Sequence, residues 1–321
     1  MKRIDLHLLG PLVALVGLFI LGALLNPAFL APANLSNVLA RSAFIGLIAV
    51  GMTFVITQGG LDLSVGSMAA FLAGIAIMAM NALAPITGEN WGTILIGMGV
   101  ALAGGLLAGF ANGALVTKAR IEPFIVTLGT MGIFRSLVTW LADGGTLSLD
   151  SGLRALYRPV YFGGIGWITW PIIVFAIVAV LGEWTMRHTR FGRHVEAIGS
   201  NDRVARYSAV DVERVRLKTY VLLGALVGLA TILYVPRLGS ASGSTGVLWE
   251  LEAIAAVIIG GTVLKGGFGR VWGTVIGVLI LTLIGNLLNL TDFVSPYLNG
   301  AIQGAIIVLA VVLQREGKAR A

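Results

Sequence analysis

Between two strongly apolar stretches, 44–56 and 68–80, the chain carries Gln58-Gly59-Gly60-Leu61-Asp62-Leu63-Ser64-Val65-Gly66-Ser67. A carboxylate beside hydrocarbon needs a partner or a water-filled cavity. The glycines loosen backbone that a membrane helix keeps continuous. Irregular backbone at membrane depth survives only where it is buried in protein or lines such a cavity. Gln58, Asp62, Ser64 and Ser67 therefore offer the hydrogen-bonding groups of a pathway or gate. The same residues also fit a turn between two spans, with Asp62 as the N-cap of the second. Other groups suited to lining a polar path are Asn112, Thr127, Asn286, Asn289, Asn299 and Gln303. Amide and hydroxyl groups of this kind match a neutral, hydroxylated solute.

Other chemistries lack their residues. There is no cysteine, which excludes disulfides, thiol chemistry and Cys-based metal sites. The three histidines, His7, His188 and His194, read as surface residues and show no paired metal-ligand spacing. No G-x-x-x-x-G-K-[ST] phosphate loop occurs, so ATP hydrolysis is not expected on this chain. No Ser/His/Asp or Cys/His constellation marks an active site, and no cofactor is expected on the chain. Ionisable groups inside the apolar segments are few: Arg135, with Asp62 and Glu252 near segment ends. That sparseness argues against, without excluding, an ion-coupled carrier.

The elements that must position these groups are membrane helices. Of the 321 residues, 57% are hydrophobic and 12% charged, and the mean hydropathy is +0.93. Soluble domains carry about 25% charged residues. The apolar runs are continuous rather than alternating, which argues against a β-barrel. The expected fold is an all-α polytopic membrane protein, a single domain over 1–321. Predicted spans are 8–25, 38–57, 61–80, 92–117, 121–141, 167–186, 217–236, 251–264, 271–290 and 297–314. The eighth is short, so it and the stretch near 58–70 are also compatible with half-helices. Lys2-Arg3 before an apolar run, with Ala31-Pro32-Ala33 beyond it, imitates a secretory signal. The run is about as long as a full span, and we read it as an uncleaved first helix. With the N-terminus inside, most Lys and Arg fall in inside loops, while Arg154, Arg158 and Arg237 fall outside and Arg41 lies near an outer helix end. Both termini are then cytoplasmic. The net charge of +7 reflects topology, and no nucleic-acid partner is expected.

Shifting the sequence by 207 positions lays Gly59-Gly60 on Gly266-Gly267, Gly66 on Gly273 and Ser67 on Thr274, a weak internal repeat. The long polar stretch within the chain, Arg187 to Lys218, carries eight Lys or Arg. Asn201-Asp202 can cap a short helix through Tyr207, with Val204 and Tyr207 at helical spacing. Such an element either meets a partner or forms a solvated loop contacting lipid headgroups.

Four stretches resemble the membrane permease subunits of bacterial ABC sugar importers, most closely the ribose-type permeases. They are GMTFVITQGGLDLSVGS (51–67), IEPFIVTLGTMGIFRS (121–136), TRFGRHVEAIGSNDRVARYSAVDV (189–212) and ELEAIAAVIIGGTVLKGGFGRVWGTVIG (250–277). They lie in order over nearly the whole chain. Three positions depart from the family pattern. Leu61 stands where Ile is frequent, Glu122 where a second Pro is common, and Gly199-Ser200-Asn201 where Gly-Gly-Asn is frequent. The amino-acid branch of the superfamily fits less well, because its counterpart segment usually lacks the aspartate.

The resemblance implies a ten-span permease in the bacterial inner membrane, paired with a second copy or a paralogue. A cytoplasmic ABC ATPase carrying ATP and magnesium would dock beneath it, and a periplasmic sugar-binding protein would deliver a monosaccharide from above. The loop at about 187–217 would hold the coupling segment, with Glu196, Gly199, Asn201, Arg203, Ala205, Arg206 and Ala209 transmitting the ATPase stroke. The rival expectations are a self-sufficient ion-coupled carrier or channel for a small polar solute, and a membrane scaffold working through its basic loop.

Overall fold

The computed structural model describes residues 6–291 together with 298, 300–302 and 304–305. Asn299, Gln303 and most of the tenth predicted span lie outside the described residues. In chain order the first helices are α1 (Leu6–Leu25), α2 (Pro32–Thr57), α3 (Val65–Thr87), α4 (Trp91–Thr117) and α5 (Pro123–Leu141). A short strand β1 (Thr146–Ser148) and the small helices α6 (Ser151–Tyr157) and α7 (Pro159–Phe162) follow. Then come β2 (Gly164–Ile165), β3 (Ile168–Thr169) and α8 (Trp170–His188). The polar stretch forms α9 (Arg190–Ser200) and α10 (Asp202–Tyr207). The rest comprises α11 (Val212–Leu238), β4 (Ser240–Ser242), α12 (Trp249–Ile259) and α13 (Val271–Thr291).

Seven described helices are long and apolar enough to cross a membrane: α2, α3, α4, α5, α8, α11 and α13. In α1 the apolar part is a shorter stretch, Gly10–Leu25. The eighth predicted segment forms only the 11-residue α12. At 1.5 Å per residue it reaches ~16 Å, about half the hydrocarbon thickness. Gly261 stops it by taking a left-handed φ of +88° just past its end. The third predicted span also starts late, at Val65, because residues 58–64 are unwound.

Helix α2 is the central post. In it 83% of the apolar window is buried, against 17% in α5. Its neighbours are α8, α11, α12 and α13. The tightest helix pair is α4 against α11, where glycines let the backbones touch. A Cβ on Gly105 would overlap the Gly224 carbonyl oxygen, and one on Gly224 would overlap that of Gly105. Small residues allow this approach, and van der Waals packing then holds the pair in lipid.

At the end opposite the basic loops, β1 pairs antiparallel with β4, Thr146 opposite Ser242 and Ser148 opposite Ser240. This ties the segment after α5 to the chain that descends into α12.

Candidate functional site

The segment after α2 turns back into the protein. Asp62, Ser64, Ser67 and Asn112 are all essentially inaccessible. Asp62 Oδ1 accepts from the Ser64 backbone N–H at 2.8 Å and the Ser64 hydroxyl at 2.6 Å. This is an Asx-type turn, in which a side chain replaces a missing helical bond. Asn112 of α4 donates to Asp62 Oδ2 at 3.2 Å and to Ser64 Oγ at 2.9 Å. The Tyr220 hydroxyl of α11 donates to the Leu61 carbonyl at 3.1 Å, and the Ser67 hydroxyl donates to the Ser64 carbonyl at 2.9 Å. The unwound backbone is thus pinned to α4 and α11. Asp62 sits three residues before the start of α3 rather than at its N-cap position, which is Ser64.

A second interrupted segment, 239–248, meets the first. A Cβ on Gly66 would overlap the Gly246 carbonyl oxygen, and one on Gly246 would overlap that of Gly66. Carbonyls left free by the break need donors. Arg135 supplies them, its Nη1 donating to the Gly243 carbonyl at 2.7 Å and to the Thr245 carbonyl. The intramembrane arginine therefore holds a re-entrant backbone in shape.

At the basic end, the loops following α2 and α12 touch each other and α9. Gly267 N–H donates to the Thr57 carbonyl at 2.8 Å. Gly59 and Gly266, superposed by the 207-residue shift, both have left-handed φ, +86° and +87°. A Cβ on Gly266 would lie 2.9 Å from Gly59 N and 3.0 Å from the Gly199 Cα. The two repeats also meet through Thr53 and Thr274, whose hydroxyls are 2.7 Å apart.

Ion pairs brace this junction. Arg187 pairs with Glu183 at 3.3 Å and Glu196 at 3.1 Å, and donates to the Gly269 carbonyl at 2.9 Å. Glu183 in turn accepts from Val271 N–H at 2.8 Å and Trp272 N–H at 3.2 Å, at the start of α13. A carboxylate there complements the helix dipole. Burial pushes the Glu196 carboxyl above its ordinary range, and the Arg187 guanidinium opposes that rise.

Helix α10 is capped as the sequence predicts. Asn201 Oδ1 accepts from Val204 N–H at 3.1 Å, starting α10. Ala205 is buried, while Arg206 pairs with Asp202 at 3.4 Å and Glu213 at 3.9 Å. Arg203, Val204, Tyr207 and Ala209 face outward, with Tyr207 91% exposed. Ala209 adopts a left-handed φ of +60° as the chain turns into α11.

The structure gathers Asp62, Ser64, Ser67 and Asn112 but not the remaining candidates. Gln58 lines a separate cavity of about 230 Å³ at the basic end, beside Thr117, Arg120, Arg216 and Tyr220. Its Oε1 is buried without a hydrogen-bond partner among the described residues. Thr127 is buried on α5 and donates to the Pro123 carbonyl at 2.8 Å. Asn286 exchanges hydrogen bonds with Asn34 at 2.9 and 3.2 Å near the opposite end, and Asn289 lies one turn further on. Sequence reasoning missed Tyr220, Glu183 and Gly246. Only the Glu183–Arg187 pair carries a sequence signal, the i,i+4 spacing of opposite charges.

A family profile described as "Branched-chain amino acid transport system / permease component" matches residues 34–311. The ribose import permease protein RbsC of Bacillus subtilis (strain 168) is 40% identical over 314 residues, covering 97% of this chain and 94% of that protein. Its counterpart in Escherichia coli (strain K12) is 36% identical over 308 residues, covering 95% and 92%. The xylose transport system permease protein XylH of Haemophilus influenzae (strain ATCC 51907 / DSM 11121 / KW20 / Rd) is 32% identical over 350 residues, covering 91% of each chain. Among solved structures, an inward-facing ABC transporter of the metal-chelate type matches with a TM-score of 0.51. That match covers 95% of this chain and 98% of the other, and at 17% identity it speaks for the fold alone. The chain belongs to the family of import-system permease components that includes these ribose and xylose permeases.

Proposed function

We propose that this chain is the transmembrane permease subunit of an ATP-driven importer that carries a monosaccharide, a ribose-like pentose or a hexose, across the bacterial inner membrane. ATP and magnesium act on a separate ATPase chain, and a periplasmic sugar-binding protein delivers the cargo. The observation that carries this reading is the contact of α9 with both glycine loops. A rigid element on the basic face abuts the ends of two interrupted membrane segments, so a push on α9–α10 reaches the pathway directly. Arg203, Val204 and Tyr207 offer the outward surface on which an ATPase docks.

The interrupted segments supply the other half of the mechanism. Asp62, Ser64, Ser67 and Asn112 hold the break after α2, and Arg135 holds the one before α12. Movement of α9 shifts these breaks relative to α4 and α11, alternately opening the path to each side. A second permease copy or a paralogue completes the path. The open face of α5 supports such pairing, because Gly129 and Gly132 meet nothing within 4 Å and let another helix approach closely.

Purification of the tagged chain from its native membranes in mild detergent, with mass spectrometry of what accompanies it, tests the assembly. Recovery of a two-domain ATPase, with or without a sugar-binding protein, supports the importer. Recovery of the chain alone, under conditions that preserve a control ABC complex, counts against it.

A further inference from the structure

At the end opposite the basic loops, Arg41 of α2 and Arg237 of α11 line one cavity of about 390 Å³. Asn37, Tyr161 and the reciprocal Asn34–Asn286 amide pair complete its wall. Neither guanidinium has a carboxylate within ion-pair distance among the described residues. The Arg237 guanidinium carbon lies 5.8 Å from the Tyr161 ring centroid and 6.0 Å from that of Phe44. A cation–π contact of this kind uses none of the guanidinium's N–H donors, which stay available to an anion.

The rim of this cavity fixes the kind of anion. Phe162 is 51% exposed, and Trp167 and Trp170 beside it are 56% and 43% exposed. The Ser36 hydroxyl, on α2 before Arg41, donates to the Trp167 carbonyl at 2.7 Å, which places this aromatic rim against the start of α2. Exposed tryptophans gather where hydrocarbon gives way to headgroups. Ile165 and Leu238 add outward apolar surface at the same end. Two guanidiniums over such a rim match a phosphate that arrives with an acyl chain attached.

We propose that this cavity is a binding site for the phosphate of an anionic phospholipid headgroup. Arg41 and Arg237 hold the phosphate oxygens, Asn37 adds a donor, and the acyl chain runs along the exposed aromatic and aliphatic rim. Bound there, the lipid clamps α2, α7, α11 and α13 at the end remote from α9.

Native mass spectrometry of the full chain in detergent tests this, with phosphatidylglycerol, phosphatidylcholine and inorganic phosphate added separately. The basic loops at the other end also attract anionic lipid, so the readout is the difference in tightly retained lipids. The wild-type chain is expected to retain one more phosphatidylglycerol than Arg41→Gln/Arg237→Gln, and Arg41→Lys/Arg237→Lys to keep it. Arg41→Gln alone, at an exposed position, serves if the double variant does not fold, and is expected to weaken that retention at least tenfold. Equal retention by wild type and variants overturns the site. Equal retention of phosphatidylcholine overturns the requirement for an anionic headgroup. Displacement of the lipid by inorganic phosphate at equal concentration makes it a site for free anions instead.

Discussion

Gly199 of α9 leaves no space against Thr57 of α2: a Cβ on Gly199 would coincide with the Thr57 carbonyl oxygen and crowd the Gly267 N–H that donates to it. One glycine thus sits where the end of α2 and the loop after α12 meet. Overpacking such a contact costs about 1–3 kcal/mol. Gly199→Ala is expected to lower uptake at least tenfold, and Gly199→Trp to abolish uptake and coupled ATPase activity. Membrane levels of both variants stay normal on a blot. Transport at the wild-type rate by the tryptophan variant removes Gly199 from the coupling path.

The Asp62 knot makes a second claim. The buried Asp62 carboxyl accepts three hydrogen bonds, from the Ser64 N–H, the Ser64 hydroxyl and the Asn112 amide, and losing a buried partner costs more than the bond itself contributes. Asp62→Asn is expected to cut uptake strongly. Asp143→Asn, at an exposed position where Asn tolerates the left-handed φ of +48°, should leave it intact. Equal, negligible losses in radiolabelled sugar uptake would reduce Asp62 to a local turn residue.

Much of this architecture is legible from residues alone. The long spans announce themselves because membrane helices satisfy their own backbone and need only continuous apolar sequence. The N-cap of α10 is legible because Asn201 acts on a neighbour three residues away. Asn112 carries no local sign that it meets Asp62 and Ser64, since that contact closes across 50 residues and depends on how α4 packs on α11. The β1–β4 pairing is hidden for the same reason. The repeat is faint in sequence because few positions constrain residue type; among its matched glycines, Gly59 and Gly266 share a left-handed φ that other residues rarely adopt. Asn286 exchanges hydrogen bonds with Asn34, a pairing with no sign in the sequence, because an amide on an apolar helix looks the same whether it faces a pathway or a neighbouring helix.

Helix packing between α4 and α11 yields a stability prediction. Gly224→Ala forces its methyl group into the Gly105 carbonyl, which is backbone and cannot rotate away. A loss of about 1–3 kcal/mol is expected, read as a lower unfolding midpoint in detergent. Gly99→Ala, with nothing within 4 Å of the added atom, is expected to stay within experimental error of wild type. Equal midpoints for the two variants would mean that the α4–α11 contact is not close packed.

Arg187 joins three elements through Glu183, Glu196 and the Gly269 carbonyl. Arg187→Gln leaves two carboxylates facing each other with their shared cation removed. The assembled importer carrying it is expected to hydrolyse ATP at a basal rate that the loaded binding protein no longer stimulates. Retained stimulation would show that the brace is structural only.

The most direct measurement is sugar uptake by proteoliposomes holding this permease with its ATPase, with binding protein and radiolabelled pentose outside and ATP enclosed. Uptake that needs ATP, needs the binding protein, and persists when ionophores collapse proton and sodium gradients is the predicted result. Uptake by the permease alone, driven by an imposed ion gradient and indifferent to ATP, would contradict the importer and identify a self-sufficient carrier.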